Sequence, residues 1–250
     1  MKPKISIITV CYNAELHIEE AILSVVNQNY PKKEYIVIDG GSCDKTLCII
    51  EKYKNKIDYV ITEPDEGISD AFNKGIKIAT GDIIGICNSD DMLNDNALLE
   101  VSKVYESGID VYRFPEIILN PIDGKRILVH PTNIPSIPIQ THLLHMGCFI
   151  TSNGYNKFGM YDKEYKYCMD YELIRRFISK GARFKYCDYP VGIFRLGGIS
   201  QSNNKKINNE KISICKKYGG GYVGGYIWVI YDYIKMFMKQ KIKYMTKRVK

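Results

Sequence analysis

No stretch of this 250-residue chain approaches the roughly 18 consecutive apolar residues that a membrane-spanning helix needs. The opening Met1-Lys2-Pro3-Lys4 runs straight into a strand-like segment, without the apolar core and small-residue cleavage site of a secretion signal, so the expectation is a protein that stays in the cytoplasm. None of the eight cysteines forms a C-x-x-C pair and no histidine stands at zinc-ligand spacing, so neither a disulfide framework nor a zinc site is implied. Phosphate loops are missing too. No G-x-G-x-x-G follows the first strand-like run and no G-x-x-x-x-G-K-[ST] occurs, which disfavours dinucleotide enzymes and P-loop nucleotidases. Internal repeats and low-complexity linkers are likewise absent.

Charge is present but unevenly placed. Of the 35 basic residues, seven fall between Lys235 and Lys250 with no acid among them, and the rest of the chain balances its 28 acids. A neutral body with a basic end suits an anionic surface met by the C-terminus, and argues against a protein coated for nucleic acid. Just upstream, Tyr222, Tyr226, Trp228, Tyr231, Tyr233 and Phe237 place aromatics beside those lysines, as in a segment lying at a membrane interface.

The apolar pattern alternates between two periods. Ile5 to Val10 reads as a buried strand, and Ile18, Ala21, Ile22, Val25 and Val26 follow as one helical face. Tyr35–Ile38, Tyr59–Ile61 and Ile83–Cys87 repeat the strand signal, with helical stripes between them that Ser42 and Ser69 are placed to cap. Strands alternating with helices predict βαβ units in a mainly parallel α/β sheet, with ligands at the carboxyl ends of the strands. Beyond Asp91 the pattern loosens into a helix at 96–105, a hairpin of 111–119 with 125–129, a proline-rich stretch, a helix at 170–180 and a strand at 183–187.

That topology gathers Tyr12-Asn13, Asp39-Gly40-Gly41-Ser42 and Asn88-Ser89-Asp90-Asp91 on one rim. Two adjacent carboxylates after a strand are either a solvated turn or a holder for a hard cation such as Mg²⁺ or Mn²⁺, which binds through carboxylates while keeping positions open for diphosphate oxygens.

Taken in order, "SIITVCYNAELHIEEAILSVVNQNY", "YIVIDGGSCDKT", "EPDEGISDAFNKGIKIATGDIIGICNSDD", "MDYELIRRF" and "FRLGGIS" resemble the successive motifs of family-2 glycosyltransferases, inverting enzymes with a GT-A fold. The likeness spans residues 4 to 200. It implies a glycosyltransferase domain over residues 1–204, with a nucleotide-sugar part at 1–115, an acceptor side at 116–204, and a helical, basic tail at 205–250.

The resemblance also assigns roles. It sets the nucleotide-sugar against Thr9, Tyr12, Asn13 and Asp39, and lines the donor with Asp70, Asn73 and Lys74. It aligns the family's D-x-D with Asn88-Ser89-Asp90, so Asp90, helped by Asp91, would bind Mn²⁺ or Mg²⁺; Asn88 departs from the first acid of that motif. Asp170 falls where the family has its general base, at the start of a helix whose dipole favours a carboxylate. His145 and Ser200 are expected on the acceptor side. The implied partners are a UDP-sugar and a glycan or polyprenyl-diphosphate acceptor of surface-polysaccharide (O-antigen type) synthesis, met at the cytoplasmic face of the inner membrane. A nucleotidyltransferase, or a non-catalytic nucleotide-sugar-binding or glycan-binding protein of the same fold, is the alternative.

Overall fold

The computed structural model describes residues 2–131, 145–197 and 204–218. The alternation predicted from the sequence is there: β1 (Ile5–Cys11), α1 (Ile18–Val26), β2 (Lys33–Asp39), α2 (Thr46–Lys52), β3 (Tyr59–Thr62), α3 (Ile68–Ile78) and β4 (Ile83–Ile86). After it come β5 (Met92–Leu93), α4 (Ala97–Val104), β6 (Val111–Arg113), β7 (Glu116–Leu119), β8 (Arg126–Val129), β9 (Cys148–Thr151), α5 (Ser152–Phe158), α6 (Met169–Ser179), β10 (Phe184–Tyr186), β11 (Gly192–Arg195) and α7 (Asn204–Tyr218). Seven strands form the main sheet in the order β10-β6-β9-β4-β1-β2-β3. Only β9 runs antiparallel to its neighbours, β4 and β6.

Both faces of the sheet are covered, which is why its central strands are apolar on both sides. Ile5, Ile7, Val37 and Ile83 pack with Ile18, Ile22 and Val25 of α1 and Leu98 and Val101 of α4. Ile8, Val10, Ile36, Ile38 and Ile84 face Phe72 and Ile76 of α3 and Leu173, Ile174 and Phe177 of α6.

The hairpin expected of 111–119 with 125–129 is present as the antiparallel pair of β7 and β8, but its first strand divides in two. Pro115 has no N–H for a ladder, and the strand breaks there: β6 stays in the main sheet while β7 joins a second, four-stranded sheet ordered β5-β11-β7-β8. Helix caps differ as well. Gly67, with φ of 115°, precedes α3 where Ser69 was expected to cap, and Lys45 precedes α2 in place of Ser42.

The helix α7 begins at the boundary expected at residue 204 and packs on the preceding residues: Ile214 lies in the core cluster with Leu173, Ile174 and Phe177 of α6, and Cys215 is buried. No helix among the described residues is long and apolar enough to cross a membrane. Ser200 and the segment 219–250 lie outside the described residues.

Candidate active site

Parallel pairing brings the carboxyl ends of β1, β2 and β4 to one edge of the sheet. The first loop there is held together by its own polar groups. Gly40 N–H donates to Cys11 O at 2.9 Å, and the Gly41 and Ser42 amides donate to Asp39 Oδ2 at 3.1 and 3.0 Å. Ser42 Oγ donates to Asp39 Oδ1 and accepts from Asn13 N–H, while Asn13 Oδ1 accepts from Cys43 N–H at 2.9 Å. Asp39 is thus buried inside the turn it organises, and Asn13, at φ 49°, ties the two loops together. Tyr12 stands free at 65% exposure, its ring beside Gly40.

Thr9 does not reach this rim. It is fully buried within β1 on the face covered by α1, and its Oγ1 accepts from Tyr35 Oη at 3.0 Å. The resemblance set Thr9 against the nucleotide; the two-residue period of the strand turns its side chain into the core.

Two of the three expected donor-lining residues on α3 are used internally. Asn73 bonds the Tyr161 backbone in both directions, at 2.9 Å each way. Lys74 Nζ lies 2.6 Å from Asp65 and 3.0 Å from Glu63, and donates to Pro64 O at 2.9 Å. Burial pulls the Lys74 pKa down, but hydrogen bonds and charges from Asp65 and Glu63 more than reverse it, so the ammonium stays protonated and staples the 63–65 loop to the helix. Asp70 faces Lys163 at 3.2 Å and Lys74 at 3.6 Å, with 17% of its side chain exposed.

The turn after β4 separates the two adjacent acids. Asp91 is 1% exposed, accepts from Arg195 N–H at 2.9 Å on one oxygen and from Asn88 Nδ2 at 3.1 Å on the other. Burial and the neighbouring Asp90 charge push its carboxyl up to about 7, against those two hydrogen bonds. Asp91, expected beside Asp90 as a metal ligand, is turned into the protein with both carboxylate oxygens hydrogen-bonded. Asp90 and Ser89 stay partly exposed, and no described residue bonds the Asp90 carboxylate. Arg195 fixes this turn from β11. Its backbone amide holds Asp91, its Nε donates to Asp90 O at 3.1 Å, and its Nη2 pairs with Glu20 of α1.

Asp170 sits in the first turn of α6 with 26% of its side chain exposed. It is not spent on capping. Glu210 of α7 collects the amides of Lys166, Tyr167 and Cys168 just before the helix, at 2.9, 2.9 and 2.8 Å. The Asp170 carboxylate instead meets His145, whose Nδ1 lies 3.0 Å from Oδ1. The ring stacks on Phe72, with centroids 5.3 Å apart. Burial alone would lower the His145 pKa, but the charges of Asp170, Glu116 and Asp91 together raise it above the ordinary histidine value. Glu116, buried on β7, accepts from Gly147 N–H at 2.6 Å and is itself pushed up to about 8 by burial. Gly147 is required here, because a Cβ would lie 2.2 Å from Phe114 O.

Three contributors were not singled out from the sequence. Arg195 lies in "FRLGGIS", where nothing in the motif marks it as the residue that reaches the Asp90–Asp91 turn. Glu116 gave no signal, being one acid in a strand-like run. Asp65, whose carboxylate approaches Gly40 and Lys74, stood in a quoted motif.

Among the described residues no group of three His, Cys, Asp or Glu could hold a metal. A resident cage is thus not present in that part of the chain. A single open carboxylate at Asp90 does fit a Mg²⁺-like or Mn²⁺-like ion that arrives with a diphosphate, since such ions bind through one or two carboxylates plus phosphate oxygens and water.

The model of the family described as "Glycosyl transferase family 2" matches residues 6–168. An uncharacterized glycosyltransferase of Rickettsia typhi is 30% identical over 219 residues, covering 82% of this chain and 68% of that protein. The poly(ribitol-phosphate) beta-N-acetylglucosaminyltransferase TarS of Staphylococcus aureus is 34% identical over 104 residues, which is 40% of this chain and 18% of TarS. The crystal structure of TarS residues 1–349 with UDP-GlcNAc shares the fold at a TM-score of 0.68 and 18% identity, over 90% of this chain and 70% of that one. A mannosyltransferase of Pyrobaculum calidifontis, solved with GDP-Man and Mn²⁺, gives a TM-score of 0.66 at 15% identity, over 92% of this chain and 68% of that one.

Proposed function

Because the chain belongs to glycosyl transferase family 2, we propose that it transfers a sugar, with inversion, from a nucleotide-sugar to a hydroxyl of a glycan or polyprenyl-diphosphate-linked acceptor in cell-surface polysaccharide assembly. A UDP-sugar is the leading donor, in keeping with the UDP-GlcNAc bound to TarS. The observation that carries this reading is two carboxylates not used by the backbone: Asp90 open on the rim of the sheet, and Asp170 spared from capping because Glu210 holds the amides ahead of its helix.

In the reaction the acceptor oxygen attacks the anomeric carbon while its proton passes to Asp170. The bond from that carbon to the diphosphate oxygen breaks, and its electron pair leaves with the diphosphate. Tyr12 offers a ring face to the nucleobase and Asp39 keeps the loop beneath it closed. Asp70, Ser89 and Asn88 line the donor side. A divalent ion bound at Asp90 would neutralise charge on the leaving diphosphate. Arg195 keeps the Asp90 turn in place. The basic tail would hold the enzyme against anionic lipid on the cytoplasmic face of the inner membrane.

Thermal unfolding against a panel of nucleotide-sugars, each with and without Mn²⁺, tests this. A donor at about 100 times its dissociation constant adds roughly 2.7 kcal/mol of stability. Asp90→Ala is expected to weaken that binding, and Asp170→Asn to preserve it while abolishing turnover. Equal loss of donor binding in both variants would contradict the two roles.

A further inference from the structure

His145 is the largely buried group that the reaction above leaves without a task, and its surroundings are unusual. Its Nδ1 is 3.0 Å from Asp170 Oδ1, within ion-pair reach, yet that oxygen has no hydrogen bond of regular geometry among the described residues. Its Nε2 is buried without a hydrogen-bond partner among the described residues. Hydrogen bonds of catalytic groups are commonly long or misaligned before substrate binds and tighten afterwards. A histidine needed only for packing would be cheaper as a phenylalanine, since buried polar atoms without partners cost stability.

We propose that His145 is the positioning residue of the catalytic base: its Nδ1–H holds the Asp170 carboxylate in the orientation that receives the acceptor proton. This rests on the assignment of Asp170 as base. When that proton arrives, it forms an O–H bond on Asp170 as the acceptor oxygen bonds to the anomeric carbon, and the His145 N–H stays where it is. The ring is held by its stack on Phe72, and the backbone that carries it is fixed by Cys148 N–H, which donates to His145 O at 3.0 Å, and by Gly147 N–H, which donates to Glu116.

The charged neighbours of the pair set when it works. Asp91 from the turn after β4 and Glu116 from β7 bear on His145, and Arg113 from β6 bears on Glu116. Around Asp170 stand Cys148, Tyr155, Tyr161 and Cys168. Burial raises all four pKa values, the two thiols to about 12 and the two phenols well above the ordinary value, so these groups carry no charge in the working range. The imidazolium form, which pairs best with Asp170, is present at low pH and fades as pH rises through the elevated histidine value.

The chain has four histidines, so full-length protein labelled with ¹⁵N-histidine gives at most four imidazole titrations, and His145→Asn identifies the one of interest. Asp170→Asn is expected to lower the proton affinity of His145 about tenfold; an unmoved midpoint overturns the pairing. The catalytic part is read from hydrolysis of the nucleotide-sugar that stabilises the protein most, with water in place of acceptor. His145→Ala is expected to cut kcat about 100-fold, leave KM within twofold and move the acidic limb of the pH–rate profile. His145→Asn, whose amide can still donate from the Nδ1 position, is expected to restore most of the rate. If both variants melt like the parent yet lose rate equally with an unshifted profile, His145 is structural and the proposal fails. If the parent binds and hydrolyses no nucleotide-sugar, the transferase reading fails and the positioning role falls with it, while the NMR titration still reports whether the pair exists.

Discussion

Asp91 shows what a single residue does when its neighbour takes the chemistry. Its folded pKa of about 7 stands far above that of an exposed aspartate, so the folded protein binds this proton more tightly than the unfolded chain does. Stability from the group is therefore complete below about pH 4 and is lost as pH rises through 7. Glu116, at about 8, acts in the same direction over a similar window. The Asn88 Oδ1 atom is buried without a partner, and turning that amide over would let it accept a proton from neutral Asp91. An acid at position 88 would add a third carboxylate to the turn. Asp91→Asn is accordingly expected to flatten the pH dependence: near neutral in effect at pH 5, and stabilising on the order of 1 kcal/mol at pH 8. Urea unfolding at the two pH values checks this, and identical slopes in parent and variant would count against it. The internal staples made by Asn73 and Lys74 were not legible for the same reason that the burial of Asp91 was not: a sequence shows which polar groups lie near a site but not which are already satisfied.

At the scale of elements, periodicity made the first half of the fold readable, because β1 through β4 are apolar runs separated by one-faced helices. It failed where elements are short. β9 and α5 share eleven residues of mixed character, β11 has four, and the Pro115 break sends two halves of one apparent strand to different sheets. The helix α7 falls where a helical tail was expected, but its packing on α6 was not legible. Its attachment is specific: Glu210 holds three amides ahead of α6, and Tyr218 Oη donates to the buried Glu172 at 2.7 Å. Glu210→Ala should cost about 2 kcal/mol, as expected for a charged acceptor serving backbone donors. It should also reduce turnover by more than the stability loss explains, because the amides it releases stand two to four residues before Asp170. Ile214→Ala should cost about 2–5 kcal/mol through the cavity it leaves while leaving the amides held. Chemical denaturation with parallel rate measurements separates the two, and equal effects on rate per unit of lost stability would remove Glu210 from the placement of the base.

For the whole molecule, the packing of α7 changes how the tail must be tested. A chain ended at Asn204 would lose Ile214, Cys215 and the Glu210 clamp together, so any loss of membrane binding would be confounded with damage to the fold. A chain ended after Tyr218 keeps all three. It removes every one of the seven basic residues from Lys235 onward and the aromatic run before them. Each Lys or Arg near an anionic bilayer contributes about 1 kcal/mol, an attraction that salt screens within a Debye length of about 10 Å at 0.1 M. The full chain should therefore sediment with phosphatidylglycerol vesicles, release as salt is raised, and ignore neutral phosphatidylcholine vesicles. The chain ended after Tyr218 should melt and bind nucleotide-sugar like the parent but stay in the supernatant. Because a soluble short acceptor makes no use of the surface, the two chains should turn it over equally, and only a lipid-linked acceptor presented in vesicles should favour the full chain. If the shortened protein sediments as well as the parent, the surface lies elsewhere on the domain and the basic end is a solubilising one.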